Sequence, residues 1–131
     1  MDKNSKNKKI NMQNTITQTM TVSSTQTAEA LGSGLLAVFS TPALVAFMEN
    51  TAMQLIPITA ETSSVGTEIS VKHIKASAVG EEIKCTATLI ENEGKKYVFD
   101  IIAIDSKNQI IGEAKHTRYL IDIDRFMSKL L

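Results

Sequence analysis

Cysteine, net charge and long apolar stretches are what this sequence lacks. Cys85 is the one cysteine in 131 residues, which excludes an internal disulfide framework and a metal site built from several cysteines. Fourteen basic residues balance fourteen acidic ones, so bulk charge does not favour nucleic acid or a membrane surface as a partner. No apolar run approaches the ~20 residues that cross a bilayer, and the charged start of the chain does not resemble a secretory signal. We therefore expect a soluble cytoplasmic protein.

Several common catalytic motifs are also missing. The sequence contains no G-x-S-x-G elbow, no P-loop, no G-x-G-x-x-G and no H-E-x-x-H, and the Gly-Ser-Gly at residues 32–34 is too short for a nucleophile elbow. Glu49, His73 and His116 are residue types that bind metals, but neither helical histidine spacing nor a cysteine pair supports a metal site. We predict that the protein uses no metal and no organic cofactor.

The composition fits one folded domain preceded by a polar tail. Hydrophobic residues make up 43% of the chain and charged residues 21%, which allows a folded core. Residues 1–14 are rich in Lys and Asn and carry four lysines against one aspartate. We predict that they form a solvated, disordered tail, although a positive tail is also able to contact an acidic partner. Residues 15–131 are predicted to form a single domain.

One long helix is predicted near the middle of the chain. Ser40-Thr41-Pro42 is typical of a helix start, with a hydroxyl cap at Thr41 and proline at the first helical position. The helix should run from residue 42 to residue 54 or 56. Glu49 is the one charged residue between positions 42 and 58. A helix that is apolar on nearly all sides is normally surrounded by protein.

Strands are predicted before and after this helix. Apolar and polar residues alternate in each strand, and turn signals such as Glu93-Gly94 join several of them as hairpins, which makes the sheet antiparallel. A sheet and one apolar helix bury each other best when the sheet curls around the helix, so the predicted fold class is α+β, a hotdog fold. The predicted strands are residues 15–22, 67–74, 83–89, 97–104 and 109–121, and a closing helical turn is predicted in residues 124–130.

Glu49 and His73 are the strongest candidates for acid–base chemistry. A buried carboxylate in an otherwise uncharged helix must be paired, neutralised or placed at a cleft, but Glu49 also fits an exposed helix edge beside Asn50. Alternation puts His73 on the same face as Ile69 and Val71, where an imidazole titrates near neutral pH. The commoner fate of such a histidine is a core position with a hydrogen bond to a backbone carbonyl.

Four further residues each have a functional and a structural interpretation. The Thr41 hydroxyl can orient a substrate or water at the positive end of the helix, or simply cap the helix. His116 and Arg118 share a strand face, from which the arginine can meet a phosphate or carboxylate or extend to the sheet edge. Cys85 lies on an alternating apolar face and is most simply a small core residue.

Three segments resemble the thioesterases related to fluoroacetyl-CoA thioesterase. They occur in the family's order and approximate spacing, and together they extend over about residues 15 to 126. Each segment is short, and their common register makes the resemblance fairly specific. The segments are Phe39-Ser40-Thr41-Pro42-Ala43-Leu44 followed by Glu49, Val65-Gly66-Thr67-Glu68-Ile69-Ser70-Val71-Lys72-His73 followed by Gly80, and Ile111-Gly112-Glu113-Ala114-Lys115-His116-Thr117-Arg118.

The resemblance implies a hotdog fold, a homodimer and hydrolysis of acyl-CoA thioesters. The family's catalytic threonine, glutamate and histidine correspond to Thr41, Glu49 and His73. Its glycine that contacts substrate through the backbone corresponds to Gly66, and its late-strand arginine corresponds to Arg118. Selectivity for a fluorinated acyl group is not implied, because the stretch before the helix is small and glycine-rich here.

Thioester hydrolysis needs a nucleophile, a group that transfers protons and donors for the developing oxyanion. Glu49 can attack directly or orient water, His73 can shuttle the proton, and Thr41 with backbone amides can position the carbonyl. Eight helical residues put Thr41 about 12 Å from Glu49 along the axis, so either Thr41 lies in a turn folded back over the helix or the site uses two subunits. The alternatives are a non-catalytic hotdog module that binds an acyl or CoA-like ligand, and a hotdog dehydratase or hydratase.

Overall fold

The structure, a computed structural model, describes residues 14–131. Residues 1–13, which make up most of the predicted tail, lie outside the described residues. None of the helices in the described part is long and apolar enough to cross a membrane. The strands are β1 (Thr15–Thr21), β2 (Thr62–His73), β3 (Glu82–Glu93), β4 (Lys96–Ile104) and β5 (Ile110–Asp122), and the helical segments are a 3-10 turn (Ser24–Gln26), α1 (Ala28–Leu31), α2 (Thr41–Met53) and α3 (Ile123–Ser128).

The five strands form one antiparallel sheet in the order β1-β3-β4-β5-β2, with α2 against its inner face. Gly94 and Asn108 adopt the left-handed backbone conformation, each at φ 62°. They lie in the hairpins that join β3 to β4 and β4 to β5. This arrangement confirms the predicted α+β hotdog fold. The core between sheet and helix contains buried apolar side chains from both layers, among them Leu44, Met48, Ala52, Ile83, Cys85, Ala87, Phe99, Ile101, Ala103 and Ile111.

Within the described chain, only one side of α2 is fully covered. Leu44, Met48 and Ala52 are buried against the sheet, whereas Ala46 and Met53 are exposed. The expectation that protein surrounds the helix is therefore wrong for a single chain, because one five-stranded sheet covers one side of a helix. An apolar helix surface left open in this way favours contact with another protein surface.

The long helix begins one residue earlier than predicted. Ser40 has an extended backbone, and its Oγ accepts a hydrogen bond from the Ala43 N–H at 3.1 Å, which makes Ser40 the N-cap. Thr41 is the first helical residue and Pro42 the second, so the prediction that Thr41 caps the helix is wrong. The sequence is compatible with either Ser40 or Thr41 as the N-cap, because proline is tolerated at more than one position in the first turn of a helix.

We expect Ser40→Ala to lower the free energy of unfolding by about 1 kcal/mol and Thr41→Ala to change it by less than about 0.5 kcal/mol. The serine supplies the cap, whereas the threonine hydroxyl bonds no backbone group of the helix. Urea denaturation of both variants measures the difference. An equal or larger loss in Thr41→Ala would contradict the smaller structural contribution of Thr41, whose hydroxyl bonds His73 rather than the helix backbone.

The predicted common face of Ile69, Val71 and His73 is confirmed. These three residues of β2 are partly buried, and they alternate with the exposed Ser70 and Lys72. Alternation therefore predicted this half of the strand correctly, because its inner side packs against α2.

β2 begins at Thr62 rather than at residue 67, and it contains a bulge. Its register against β5 shifts between Gly66 and Glu68, so Thr67 is one extra residue on the bulged strand. The extra residue changes which alternate positions face inward. As a result Gly66 pairs with Arg118, on the same side of the sheet as the helix.

Close contact between α2 and β5 sets the position of the helix. A Cβ atom at Gly112 would lie 2.8 Å from Leu44 Cδ2 and 3.3 Å from Met48 Cε. Glycine therefore allows both side chains to pack directly on β5. Gly112 also pairs with His73, so this contact brings the first turn of α2 beside the end of β2.

Candidate active site

The first turn of α2 meets the last residue of β2. Thr41 Oγ1 lies 2.8 Å from His73 Nδ1, a hydrogen bond whose direction depends on the imidazole tautomer. The Phe39 ring packs edge-on against the imidazole, with centroids 6.3 Å apart. The pair borders a cleft of about 290 Å³, whose other walls are mostly small side chains: Ala28, Ser33, Val38, Ser40, Pro42 and Ala76.

The second ring nitrogen of His73 is left unpaired. His73 Nε2 is buried and has no hydrogen-bond partner among residues 14–131. Burial lowers the pKa of His73 below its usual value, so the imidazole is neutral near pH 7. The alternative expectation, a backbone carbonyl partner, is wrong for this histidine. A neutral imidazole with one nitrogen bonded to a hydroxyl and the other open can exchange a proton with a bound ligand or water.

A second polar cluster lies at the opposite end of β2. Arg118 is only 8% exposed. Its Nε donates to Ser64 Oγ at 2.9 Å, its Nη2 donates to the Ser64 carbonyl at 3.1 Å, and its Nη1 lies 3.3 Å from His116 Nε2. The guanidinium therefore points into the protein, and the alternative that it extends to the sheet edge is wrong.

The negative charge of Glu49 acts on this cluster. Burial lowers the pKa of Arg118, and the negative charge of Glu49 partly opposes that shift. The same charge also acts on His116. Glu49 is partly buried and makes no hydrogen bond or ion pair within residues 14–131. Its carboxylate is therefore close enough to interact with Arg118 but has no fixed protein partner.

Gly66 packs closely against the same cluster. A Cβ atom at this position would lie 3.1 Å from His116 Cε1 and 3.2 Å from Arg118 Nη1. Ser64 fixes the guanidinium from the other side, so a side chain at Gly66 would have to displace it. Glycine thus keeps the backbone of the bulge open directly beside the arginine.

The structure divides the predicted catalytic residues between two places. Thr41 and His73 lie at one end of β2, whereas the charge of Glu49 acts on Arg118, which pairs with Gly66, seven residues before His73 on the strand. Glu49 itself lies eight helical residues from Thr41, about 12 Å along the axis of α2. Thr41 belongs to the helix itself and does not fold back toward Glu49. Within one chain, Thr41, His73 and Glu49 therefore do not form a common site.

His116 and Cys85 occupy buried positions. His116 Nδ1 lies 2.8 Å from the Glu68 carbonyl oxygen. Burial raises the pKa of the Cys85 thiol to about 11, in keeping with a small core residue. Among residues 14–131, no three His, Cys, Asp or Glu side chains are grouped closely enough to hold a metal ion. His116 lies on β5 opposite Ile69, four residues along that strand from Gly112, which pairs with His73.

Sequence reasoning missed Ser64 and Phe39. Ser64 fixes Arg118, but it lies in a polar stretch before the predicted start of β2, and the bulge hides which of its neighbours face inward. Phe39 packs on His73 and opens one of the segments that resemble the thioesterase family. Its place directly before the helix cap is the signal that points to it.

The free energy of unfolding should fall when the pH is lowered below 6.5. Burial lowers the pKa values of His73 and His116 below the ordinary histidine value of 6.5. The unfolded chain therefore binds more protons in this range, and stability rises with pH until about 6.5. Urea denaturation at about pH 7.5 and about pH 5.5 measures the loss. Asp105, whose pKa the Lys75 ammonium lowers to about 2, acts mainly below about pH 5. Equal stability at the two pH values would contradict buried neutral histidines.

The family model described as "Fluoroacetyl-CoA-specific thioesterase", FlK, matches residues 22–124. A phenylalanine-to-alanine mutant of the fluoroacetyl-CoA-specific thioesterase FlK is 26% identical, with a TM-score of 0.83, over 91% of this chain and 95% of that chain. The same mutant in complex with fluoroacetate and CoA is also 26% identical, with a TM-score of 0.80, over 86% and 95% of the two chains.

A more distant structure shares the fold. A hypothetical protein of Thermus thermophilus, described as a thioesterase superfamily member, is 16% identical, with a TM-score of 0.82, over 92% of this chain and 93% of that chain. No curated protein sequence matches the chain.

Proposed function

The chain belongs to the fluoroacetyl-CoA-specific thioesterase family and is a thioester hydrolase, and we propose that it hydrolyses an acyl-CoA to the free acid and CoA at a site shared by two copies of the chain. The observation that carries this proposal is the Thr41–His73 hydrogen bond beside a cleft, with His73 Nε2 buried and unpaired. A module that only binds a ligand has no need of this pair together with an unpaired carboxylate at Glu49.

Each residue of the proposed site has a chemical role. The Glu49 carboxylate either attacks the thioester carbonyl and expels the CoA thiolate, leaving an anhydride that water then hydrolyses to the free acid, or it takes a proton from the water that attacks the carbonyl directly. His73 moves a proton through Nε2 toward the leaving CoA thiolate. Thr41 holds His73 and, with the positive end of α2, positions the carbonyl oxygen. The Gly66 backbone and Arg118 hold the acyl end of the substrate.

A second copy can bring the two clusters together because β2 is an edge strand of the sheet. An unpaired edge favours pairing with another strand, and two identical edges pair antiparallel about a two-fold axis. With the axis at Ser70, Ile69 faces Val71 of the partner subunit on the helix side. Glu68 then faces Lys72 of the partner subunit on the outer side, an attractive cross-strand pair formed twice.

This register completes the site. His73 of one chain comes opposite the bulge at the partner's Gly66, beside the partner's Arg118 and the partner's Glu49. Each dimer therefore has two equivalent sites, and each site takes Thr41 and His73 from one chain. The separation of the two clusters within one chain is the reason the second copy is needed.

We expect the chain to be a dimer in light scattering at micromolar concentration, and Ser70→Cys to form a disulfide-linked dimer under mild oxidation. Residues directly opposite in an antiparallel pair have Cα atoms about 4.5 to 5.5 Å apart, which suits a disulfide. Lys115→Cys is the matched control, because Lys115 pairs with Ser70 inside the chain and lies between two strands. A monomer, or equal cross-linking of both variants, would contradict the register.

Release of free thiol from a panel of acyl-CoAs tests the reaction itself. The panel should contain short acyl groups, because the cleft has a volume of only about 290 Å³, and fluoroacetyl-CoA, because FlK acts on it. Turnover is expected to persist with excess chelator. Tight binding without thiol release would favour the binding module, and a change at a carbon–carbon double bond without thiol release would favour a hydratase.

A further inference from the structure

His116 is fully buried, with 0% of its surface exposed, and has no role in the proposed chemistry. Its Nδ1 lies 2.8 Å from the Glu68 carbonyl oxygen. A carbonyl only accepts hydrogen bonds, so Nδ1 carries the proton and Nε2 presents a lone pair. Burial lowers the pKa of His116 and the Arg118 charge adds to this, against the effects of the Glu68 carbonyl and Glu49. The ring is therefore a neutral acceptor.

That acceptor is directed at Arg118. Arg118 Nη1 lies 3.3 Å from His116 Nε2, so an N–H of the guanidinium donates to the ring. Ser64 accepts from Nε and Nη2. A guanidinium has five N–H groups, and three are now used. One N–H on each Nη remains for a ligand.

The imidazole itself is held in place by its neighbours. Its Cε1 would be 3.1 Å from a Cβ at Gly66, and the Phe99 ring lies at a centroid distance of 6.3 Å. With Nδ1 fixed by Glu68, the ring has little freedom to turn.

We propose that His116 is a positioning residue that aims the two remaining N–H groups of Arg118 at the acyl end of the substrate. This inference rests on the proposed function, in which Arg118 holds that end. Ser64 alone fixes one edge of the guanidinium, and His116 fixes its rotation about that edge.

Two substitutions separate positioning from mere packing. Asparagine places an amide nitrogen near the position of Nδ1, so His116→Asn keeps a donor to Glu68 and loses the acceptor for Arg118. Glutamine reaches the position of Nε2 with its amide oxygen, so His116→Gln keeps the acceptor. We expect His116→Asn to raise KM for the best acyl-CoA by about 10- to 100-fold, the cost of a lost hydrogen bond to a charged group, with a smaller change in kcat. His116→Gln should stay within about threefold of the original KM.

A double-mutant cycle with Arg118→Met tests whether His116 changes KM through Arg118. If His116 acts through Arg118, His116→Asn should raise KM no further in the Arg118→Met background. Melting temperature and oligomeric state of every variant report any loss of fold. If His116→Asn does not fold, a folded His116→Gln variant with KM as high as that of Arg118→Met overturns the proposal.

The unmodified chain is measured first. If it releases no thiol from any acyl-CoA, the proposed function fails and this inference fails with it. Suppose instead that the unmodified chain is active. If the folded His116→Asn variant then has the original KM, or if the substitution raises KM equally with and without Arg118, only the positioning role is overturned.

Discussion

Glu49→Gln is expected to lower kcat for acyl-CoA hydrolysis by about 10²- to 10⁴-fold. Glutamine keeps the shape of the side chain and removes its charge, its basicity and most of its nucleophilicity. Glu49 makes no hydrogen bond or ion pair within residues 14–131, so the substitution removes little that holds the fold. Steady-state kinetics on the best substrate of the panel measures the change.

Glu91→Gln is the matched control for this substitution. Glu91 is exposed on β3, which β4 separates from β5, and the kcat of Glu91→Gln should equal that of the unmodified chain. A Glu49→Gln variant that is folded, dimeric and fully active would remove Glu49 from the site and favour the binding module.

His73→Ala should lower kcat by a similar factor, about 10²- to 10⁴-fold. His116, the other histidine, has both ring nitrogens engaged, one by the Glu68 carbonyl and one by Arg118, so it cannot replace the lost proton carrier. His73→Asn separates positioning from proton transfer, because an amide can still bond Thr41 but does not titrate. Thr41→Ala should be milder, about 10- to 100-fold, because its hydroxyl only positions.

The pH profile gives an independent test of His73. Burial lowers the pKa of this histidine, so the acid limb of kcat/KM should lie below pH 6.5. That limb should be absent from the residual activity of His73→Asn. An unchanged profile in His73→Asn would assign the titration to another group.

Local patterns predicted the fold because the sheet has one buried face and tight turns. Alternation from Ile83 to Leu89 and the turn at Glu93-Gly94 are visible in the sequence, and they suffice to define a hairpin. The cap was misplaced by one residue, since Ser40 and Thr41 are both hydroxyl residues before Pro42.

The start of β2 was missed for a different physical reason. Residues 62–66 are mostly Ser, Thr and Gly, so they carry no apolar alternation, and the bulge at Thr67 changes which positions face inward. The pairing of Gly66 with Arg118 depends on that bulge and is not visible in a pattern that assumes strict alternation.

The site was predictable in its residue types but not in its geometry. The hydrogen bond between Thr41 and His73 joins residues 32 positions apart, so it depends on how α2 packs on the sheet and not on a local sequence pattern. The sequence predicts the lengths of the helix and of the strand, and these lengths separate Glu49 from His73 within a chain. It does not predict the order of the strands, which decides the edge strand at which two chains can meet.

Mixing two inactive variants tests the shared site most directly. Chains with Glu49→Gln and chains with His73→Ala are produced with different tags, refolded together and assayed against each variant refolded alone. If each site takes Glu49 from one chain and His73 from the other, a mixed dimer has one intact site, and a random mixture recovers about a quarter of the original activity. If the mixture forms mixed dimers and stays as inactive as the separate variants, the site lies within one chain and the account is wrong.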